Sequence, residues 1–133
     1  MIGFLPEIYP DELVYSWLAR YYCRTGYAAY IDAIVDFYEK RTARPDVEFI
    51  NRLNKETKEI IMDVEPMEKL LLDHTMFPYY GRFLNVERRK GAFASMIQQE
   101  GDAHNLLAIP VNREGGIRYV RYCPVCVGFA GIP

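Results

Sequence analysis

Apolar residues recur at helical spacing along most of this chain. Between Glu12 and Arg24 the apolar positions are Leu13, Val14, Trp17, Leu18, Tyr21 and Tyr22. Recurrence at every third or fourth position predicts a helix with one apolar face. Asp11 is the predicted N-cap of this helix, and Gly26 is its predicted end.

The same spacing predicts two further helices in the first half of the chain. The second runs from about Tyr30 to Arg41, with apolar residues on one stripe. The third opens at Pro45-Asp46 and carries Val47, Ile50 and Leu53. The charged residues 54–59 are predicted to lead from this helix to a short apolar group at 60–62.

Two more helices are predicted in the second half. Pro66 stands in the first turn of one, which buries Met67, Leu70 and Leu71. Asn85 caps the other, which runs to about Gln99 and is ended by Gly101. Its inward-facing residues are predicted to be Val86, Phe93, Met96 and Ile97. The intervening residues 74–83 are rich in aromatic side chains and broken by proline and glycine. We expect an ordered loop or short turns there.

A β-hairpin is predicted near the end of the chain. Leu106 to Val111 and Ile117 to Tyr122 are predicted to be two strands, and residues 112–116 between them have the composition of a hairpin turn. We therefore expect a fold that is mainly α. Residues 1–104 would form a helical amino-terminal domain, and residues 105–133 the hairpin and the first half of a zinc finger.

The hairpin leads into a Cys-x-x-Cys pair, Cys123 and Cys126. Two thiolates at this spacing supply half of a tetrahedral zinc site. No further candidate ligand follows between Val127 and Pro133, so we expect either the front part of a longer protein or a short version of one. The remaining ligands could come from a second copy of the chain, in a homodimer, or from His104.

Composition narrows the functional classes. Half of the residues are hydrophobic, which suffices for a packed core, and the formal net charge of −2 argues against strong non-specific DNA binding by this chain alone. Three cysteines suit a reducing cytoplasm and a metal site. The first residues do not resemble a signal peptide, and the apolar stretches are too short to span a membrane.

Arg82, Arg88, Arg89 and Lys90 form the densest basic cluster and are candidate partner-binding or DNA-binding residues. Arg88 and Arg89 lie in the first turn of their predicted helix, where the helix dipole disfavours cations. An anionic partner, either DNA phosphate or an acidic protein face, would relieve that mismatch, although a solvated helix face is the more common explanation of such a cluster. A second cluster of candidate interface residues is aromatic: Tyr79, Tyr80 and Phe83.

Other reactive residues favour structural roles. His74 follows a predicted helix, where histidines often satisfy backbone carbonyls, and the same applies to His104. Cys23 lies among apolar residues and is predicted to be a buried thiol. Trp17, Tyr21 and Phe77 are predicted core residues. No nucleophile and base pair, phosphate loop or paired carboxylate is recognisable, so we do not expect an enzyme.

Four segments together resemble the TniQ/TnsD family of transposon target-selection proteins. They are Tyr9 to Arg20 (YPDELVYSWLAR), His74 to Arg89 with its HTMFPYY and ERR signatures, Ala103 to Leu107 (AHNLL), and Arg121 to Cys126 (RYCPVC). Their order and rough spacing also fit the family, from residue 4 to residue 126.

The resemblance implies a function that the residues alone do not establish. Proteins of this family are non-enzymatic adaptors that couple a DNA target, read directly or through a CRISPR effector complex, to an AAA+ transposition regulator. It also implies a helix-turn-helix-like unit followed by zinc-finger modules in a bacterial cytoplasm. The acidic residues Asp32, Asp36 and Glu39 on the second helix favour protein contact over DNA for that region. The alternative function is a sequence-specific DNA-binding regulator.

Overall fold

The computed structural model of the chain describes residues 2–50 and 52–109. Every regular element within these ranges is a helix. The helices are α1 Val14–Thr25, α2 Tyr30–Phe37, α3 Lys55–Val64, α4 Met67–Asp73, α5 Phe77–Gly81, α6 Val86–Ile97 and α7 Ala103–Leu106. The expectation of a mainly α fold is therefore confirmed for this part of the chain. The predicted strand from Ile117, the hairpin turn, Cys123 and Cys126 lie outside the described residues.

Three predicted helix boundaries are confirmed by the structure. The side chain of Asn85 accepts a hydrogen bond from the backbone nitrogen of Arg88 and starts α6. Pro66 directly precedes α4, whose Met67, Leu70 and Leu71 are buried as predicted. Gly26 follows α1 with a φ of 68°, a left-handed conformation that glycine adopts without a steric penalty.

Asp11 is not the N-cap of α1, so that prediction is wrong. The helix begins at Val14 with Leu13 as its N-cap, and no side chain caps it. Asp11 instead has a φ of 59° in the turn before the helix. Glu12 takes over the polar role there, since its carboxylate accepts a hydrogen bond from the backbone nitrogen of Tyr9 at 3.0 Å.

The predicted third helix is absent, and the charged residues after it are helical instead. Tyr38 is extended and forms an isolated antiparallel bridge with Leu53, so α2 stops at Phe37 rather than near Arg41. Asp46 has the hydrogen bonds of a helix cap, because its side chain accepts from the nitrogens of Glu48 and Phe49, but only a turn follows. Long-range pairing at Leu53 overrides the local helical pattern.

Two shorter helices complete the described elements. Residues 77–81 form the five-residue helix α5, which agrees with the ordered short turns expected there. Leu106 belongs to α7 and not to a strand, because the Asp102 side chain accepts hydrogen bonds from the nitrogens of His104 and Asn105 and starts a helix.

Two apolar clusters form the core, and α4 belongs to both. The first cluster is built around Trp17, Ile34, Ile61 and Leu70, and the second around Phe49, Leu71, Phe77, Ala92, Met96 and Leu107. Trp17, Tyr21 and Phe77 are buried, as predicted. Removing the Leu70 or Leu71 side chain beyond Cβ would cost about 2–5 kcal/mol, the usual range for a buried leucine.

The amino-terminal arm is fixed to α1 by one carboxylate and one indole. The guanidinium of Arg20 donates to both oxygens of Glu12 at 2.7 Å and to the carbonyl of Glu7 at 2.7 Å. The indole nitrogen of Trp17 donates to the carbonyl of Pro6 at 2.6 Å. Glu12 and Arg20 form a bidentate ion pair with two parallel hydrogen bonds, so they fix the position of the arm relative to α1.

No helix within the described ranges is long and apolar enough to cross a membrane.

The two asparagine caps are expected to differ in their contribution to stability. Asn85→Ala should lower the free energy of unfolding by about 1 kcal/mol, the usual cost of losing an N-cap. Asn54→Ala should cost about 2 kcal/mol, because the Asn54 side chain accepts from the nitrogen of Thr57 and also donates to the Asp36 carbonyl at 2.6 Å. Urea denaturation measures both. Asn105→Ala, at an exposed position, is the control and should change stability by less than about 0.5 kcal/mol.

Stability is expected to depend on the ionisation of Glu12. Burial raises the pKa of this carboxyl, but the hydrogen bonds from Arg20 and Tyr9 outweigh burial and hold the pKa below its ordinary value of 4.5. Because the pKa of Glu12 is lower in the folded state, its ionised carboxylate stabilises the fold at pH values above 4.5. This stabilisation is lost as the pH falls through the pKa of the folded state.

Glu12→Gln tests this directly. The variant should lose stability at neutral pH and should approach the wild-type free energy of unfolding in acid, when both are measured by urea denaturation. An equal difference between the two proteins at every pH would contradict the assignment.

Candidate interaction surface

The sequence-predicted binding residues fall on one stretch of the fold, from α5 to the start of α6. Tyr79 lies in α5, Arg82 and Phe83 follow it, and Arg88 and Lys90 lie in the first turns of α6. All five side chains are exposed. We call these residues, together with Val86, the α5–α6 surface.

The two exposed aromatic rings of this surface are arranged around a cation. Tyr79 and Phe83 meet edge to face with ring centroids 6.0 Å apart. The Arg82 guanidinium lies 4.8 Å from each ring centroid, over one face of each ring. Cation–π contacts at exposed sites contribute about 0.5–1 kcal/mol. Arg82 therefore orders both rings without burying them.

Val86 is exposed, although its place in the apolar pattern predicted that it would face inward. Its side chain retains 54% of its accessible area, and Phe83 retains 70%. Val86 is the first residue of α6, before the helix packs on the core through Ala92 and Met96. The apolar pattern does not reveal this, because the first turn of a helix can project beyond the surface that the later turns cover.

The cations of the surface have no acidic partner within the part of the chain that the structure describes. None of Arg82, Arg88 and Lys90 has a described carboxylate within ion-pair distance. Glu87 is the acidic residue of this first turn. The positive end of the α6 dipole adds to the local positive potential. This stretch therefore presents unneutralised positive charge beside exposed apolar area.

Tyr80 and Arg89, both predicted to bind a partner, are turned toward the protein. The Tyr80 hydroxyl donates to the Glu48 carboxylate at 3.1 Å, and its ring packs on Phe49 with centroids 5.8 Å apart. The stem of Arg89 packs closely over Gly81, since a Cβ at Gly81 would lie 3.6 Å from the Arg89 Cδ. Both residues pack beneath the exposed side chains of the surface and are themselves partly buried.

Both histidine rings make hydrogen bonds within the described part of the chain. His74 is buried, and its Nδ1 donates to the Glu12 carbonyl at 2.7 Å, the structural role that the sequence favoured. The Nε2 of His104 donates to Asp46 Oδ2 at 3.0 Å, and its ring packs edge-on against Phe49. The Nε2 of His104 is thus engaged with a carboxylate, whereas its buried Nδ1 has no hydrogen-bond partner among the described residues.

Cys23 is exposed, so the prediction of a buried thiol is wrong. It lies on the solvent side of α1, where the flanking aromatic residues gave a misleading apolar context. Within residues 2–50 and 52–109 no group of three or more His, Cys, Asp or Glu side chains could hold a metal ion. The two predicted zinc ligands, Cys123 and Cys126, lie outside those residues.

A cavity of about 520 Å³, which the sequence did not predict, lies between residues 39–50 together with Arg52 and residues 96–104. Polar side chains line part of it, including Asp46, Gln99 and His104. Gln99 closes one edge, where its side chain accepts from the backbone nitrogen of Leu53 at 2.8 Å. No local pattern could predict this cavity, because its two walls are far apart in sequence.

The second helix does not present a basic reading face, whereas α1 carries the exposed Arg24 in its last turn. Arg20 is held by Glu12, and α2 carries two carboxylates, Asp32 and Asp36, and no cation. A helix that enters the DNA major groove needs cations or amides on an exposed face. The region of α2 therefore suits contact with protein better than contact with DNA.

Comparison with known proteins gives two matches. The family model described as TniQ matches residues 4–131. The transposon Tn7 transposition protein TnsD of Escherichia coli is 28% identical over 124 residues, which cover 92% of this chain and 24% of that protein. The chain thus spans about a quarter of the length of this relative.

Proposed function

Because the chain belongs to the TniQ family, we propose that it acts in transposition as a non-enzymatic adaptor that selects the target site. In this role it links target DNA, or a CRISPR effector complex bound to it, to an AAA+ transposition regulator. The family match over nearly the whole chain carries the proposal. Similarity to a Tn7 transposition protein supports the same process.

The charge distribution supports protein docking as the main task of the described helices. The chain has a formal net charge of −2, and α2 carries only acidic charged residues. Binding to duplex DNA depends on many cations that neutralise phosphates. The exposed cations within the described residues include those of the α5–α6 surface, where aromatic side chains accompany them, as in protein interfaces.

Binding to the AAA+ regulator tests the proposal. The chain should bind the regulator encoded beside it when ATP and duplex DNA are both present, and should bind far more weakly when either is omitted. Isothermal calorimetry or co-sedimentation measures this. Absence of binding in every state would refute the adaptor role for this segment. Tight, salt-sensitive binding to one DNA sequence by the chain alone would favour the alternative, a DNA-binding regulator.

Charge reversal on α6 should weaken that complex without unfolding the chain. Arg88 is exposed, so the Arg88→Glu variant should keep the wild-type circular dichroism spectrum. Its affinity for the regulator should be roughly tenfold lower. The combined Arg88→Glu and Arg89→Glu variant should weaken binding further. Lys55→Glu reverses an exposed charge on α3 and serves as the control, with affinity expected to match wild type.

Cys123 and Cys126 would hold a structural zinc ion in the intact site, which we include in the proposal. Their spacing suits two thiolate ligands of a tetrahedral zinc, with the other two ligands supplied from elsewhere. Zinc would contribute folding free energy to the segment that carries it.

Zinc content tests the role of the two cysteines. The Cys123→Ser and Cys126→Ser variants should each purify with little zinc, as measured by elemental analysis. Cys23→Ser changes an exposed thiol outside the motif and should leave the zinc content at the wild-type level. Equal zinc in all four proteins would contradict the assignment.

A further inference from the structure

The apolar side chains of the α5–α6 surface are unusually exposed for so short a stretch. Phe83 retains 70%, Val86 54% and Tyr79 47% of their accessible area. Nearby Phe77 is buried, with its ring centroid 5.3 Å from that of Phe93. Single exposed apolar residues are common, but three within residues 79–86 make an apolar patch of the kind found at interaction sites.

Arg82 contacts both rings in the free chain. Its guanidinium lies over one face of each ring, and the rings also contact each other edge to face. Ordering a side chain at an interface costs about 0.5–1.5 kcal/mol of entropy. Because this order already exists in the free chain, a partner that binds here avoids part of that cost.

The charge of the surface specifies the sign of its partner. Between residues 82 and 90 stand four cations, Arg82, Arg88, Arg89 and Lys90, against the single carboxylate of Glu87. This local excess occurs in a chain whose formal net charge is −2. Complementarity therefore favours an anionic partner, and the apolar side chains favour one that also carries an apolar group.

An acidic protein fits the α5–α6 surface better than DNA does. Duplex DNA would pair its phosphates with Arg88 and Lys90 but would leave the Phe83 and Val86 side chains with nothing apolar to bury against. A single-stranded base would stack on a ring face, yet Arg82 covers one face of each ring. Aromatic residues and arginine together are typical of the centre of protein interfaces.

We infer that the α5–α6 surface binds an acidic protein segment that packs one apolar side chain against Phe83, Tyr79 and Val86, while its carboxylates face Arg88 and Lys90. This inference rests on the proposed function only for the identity of the protein that carries the segment, which would be the AAA+ regulator. The chemistry of recognition is independent of that identity.

Fluorescence anisotropy with short labelled peptides tests the inference directly. The first probe carries one tryptophan flanked by aspartate and glutamate. In the second probe alanine replaces the tryptophan, and in the third lysine replaces the acidic residues. A short labelled DNA duplex is the fourth. The wild-type chain should bind the first probe, should bind the second roughly tenfold more weakly, and should not bind the third.

Variants of the surface identify the residues responsible. Phe83→Ala should weaken binding of the first probe roughly tenfold. Phe4 is 76% exposed and lies outside the surface, so Phe4→Ala should have no effect. Lys90→Glu should weaken binding of the acidic probe, because it lowers the positive charge of the surface. Lys55→Glu is its control. All these positions are exposed, so the variants should keep the wild-type circular dichroism spectrum.

The outcomes separate this inference from the proposed function. No binding of the acidic probe, or equal binding by wild type and Phe83→Ala, would overturn the inference. So would binding of the duplex that Lys90→Glu abolishes and Phe83→Ala leaves unchanged, since that pattern describes a phosphate-binding surface. If the regulator binds the chain but the peptides do not, only the inference fails. If the peptides bind but the regulator does not, only the proposed function fails.

Discussion

Two consecutive leucines in α4 hold the described fold together. Leu70 and Leu71 are 0% and 1% exposed, and they belong to different apolar clusters. Because successive helical residues point about 100° apart, neighbouring side chains can enter separate clusters on the two sides of one helix. The cluster around Trp17 and the cluster around Phe77 are thereby held in a fixed relation.

The end of α4 extends this constraint to the amino-terminal arm. The backbone nitrogen of Val14 donates to the His74 carbonyl at 3.0 Å, and the His74 ring donates to the Glu12 carbonyl. Glu12 in turn receives the guanidinium of Arg20. The start of α1 is thus capped by the end of α4 rather than by Asp11. This tertiary contact explains why a helix without a side-chain N-cap begins at Val14.

The same packing decides which aromatic side chains remain outside. α5 is five residues long, so it can turn only part of its surface toward the protein. Phe77 enters the second cluster and Tyr80 reaches Glu48, which leaves Tyr79 and the following Arg82 and Phe83 toward solvent. The exposed apolar and basic groups are therefore adjacent to a well-packed support. Such a support is what a binding surface needs to keep its geometry.

Features decided by neighbouring residues could be predicted from the sequence. The Asn85 cap, the Gly26 stop and the buried stripe of α4 depend on interactions within one or two turns, and the structure has all three. The TniQ resemblance also needed only ordered segments of sequence, and the family match over residues 4–131 confirms it. The candidate binding residues were found in the same way, as a local concentration of cations and rings.

Features decided by contacts distant in sequence required the tertiary structure. The pattern at 47–53 predicts a helix, yet residues 47–49 form only a bend, and Leu53 pairs with Tyr38 and, through its backbone nitrogen, with Gln99. Burial of individual side chains also depends on what packs above them, so Cys23 and Val86 are exposed against expectation and Tyr80 is turned inward. The sequence by itself determined the helical class, the family and the stretch that carries the candidate surface, because local spacing and capping encode them. Only the tertiary structure decided which of those side chains face solvent, because that depends on contacts between residues far apart along the chain.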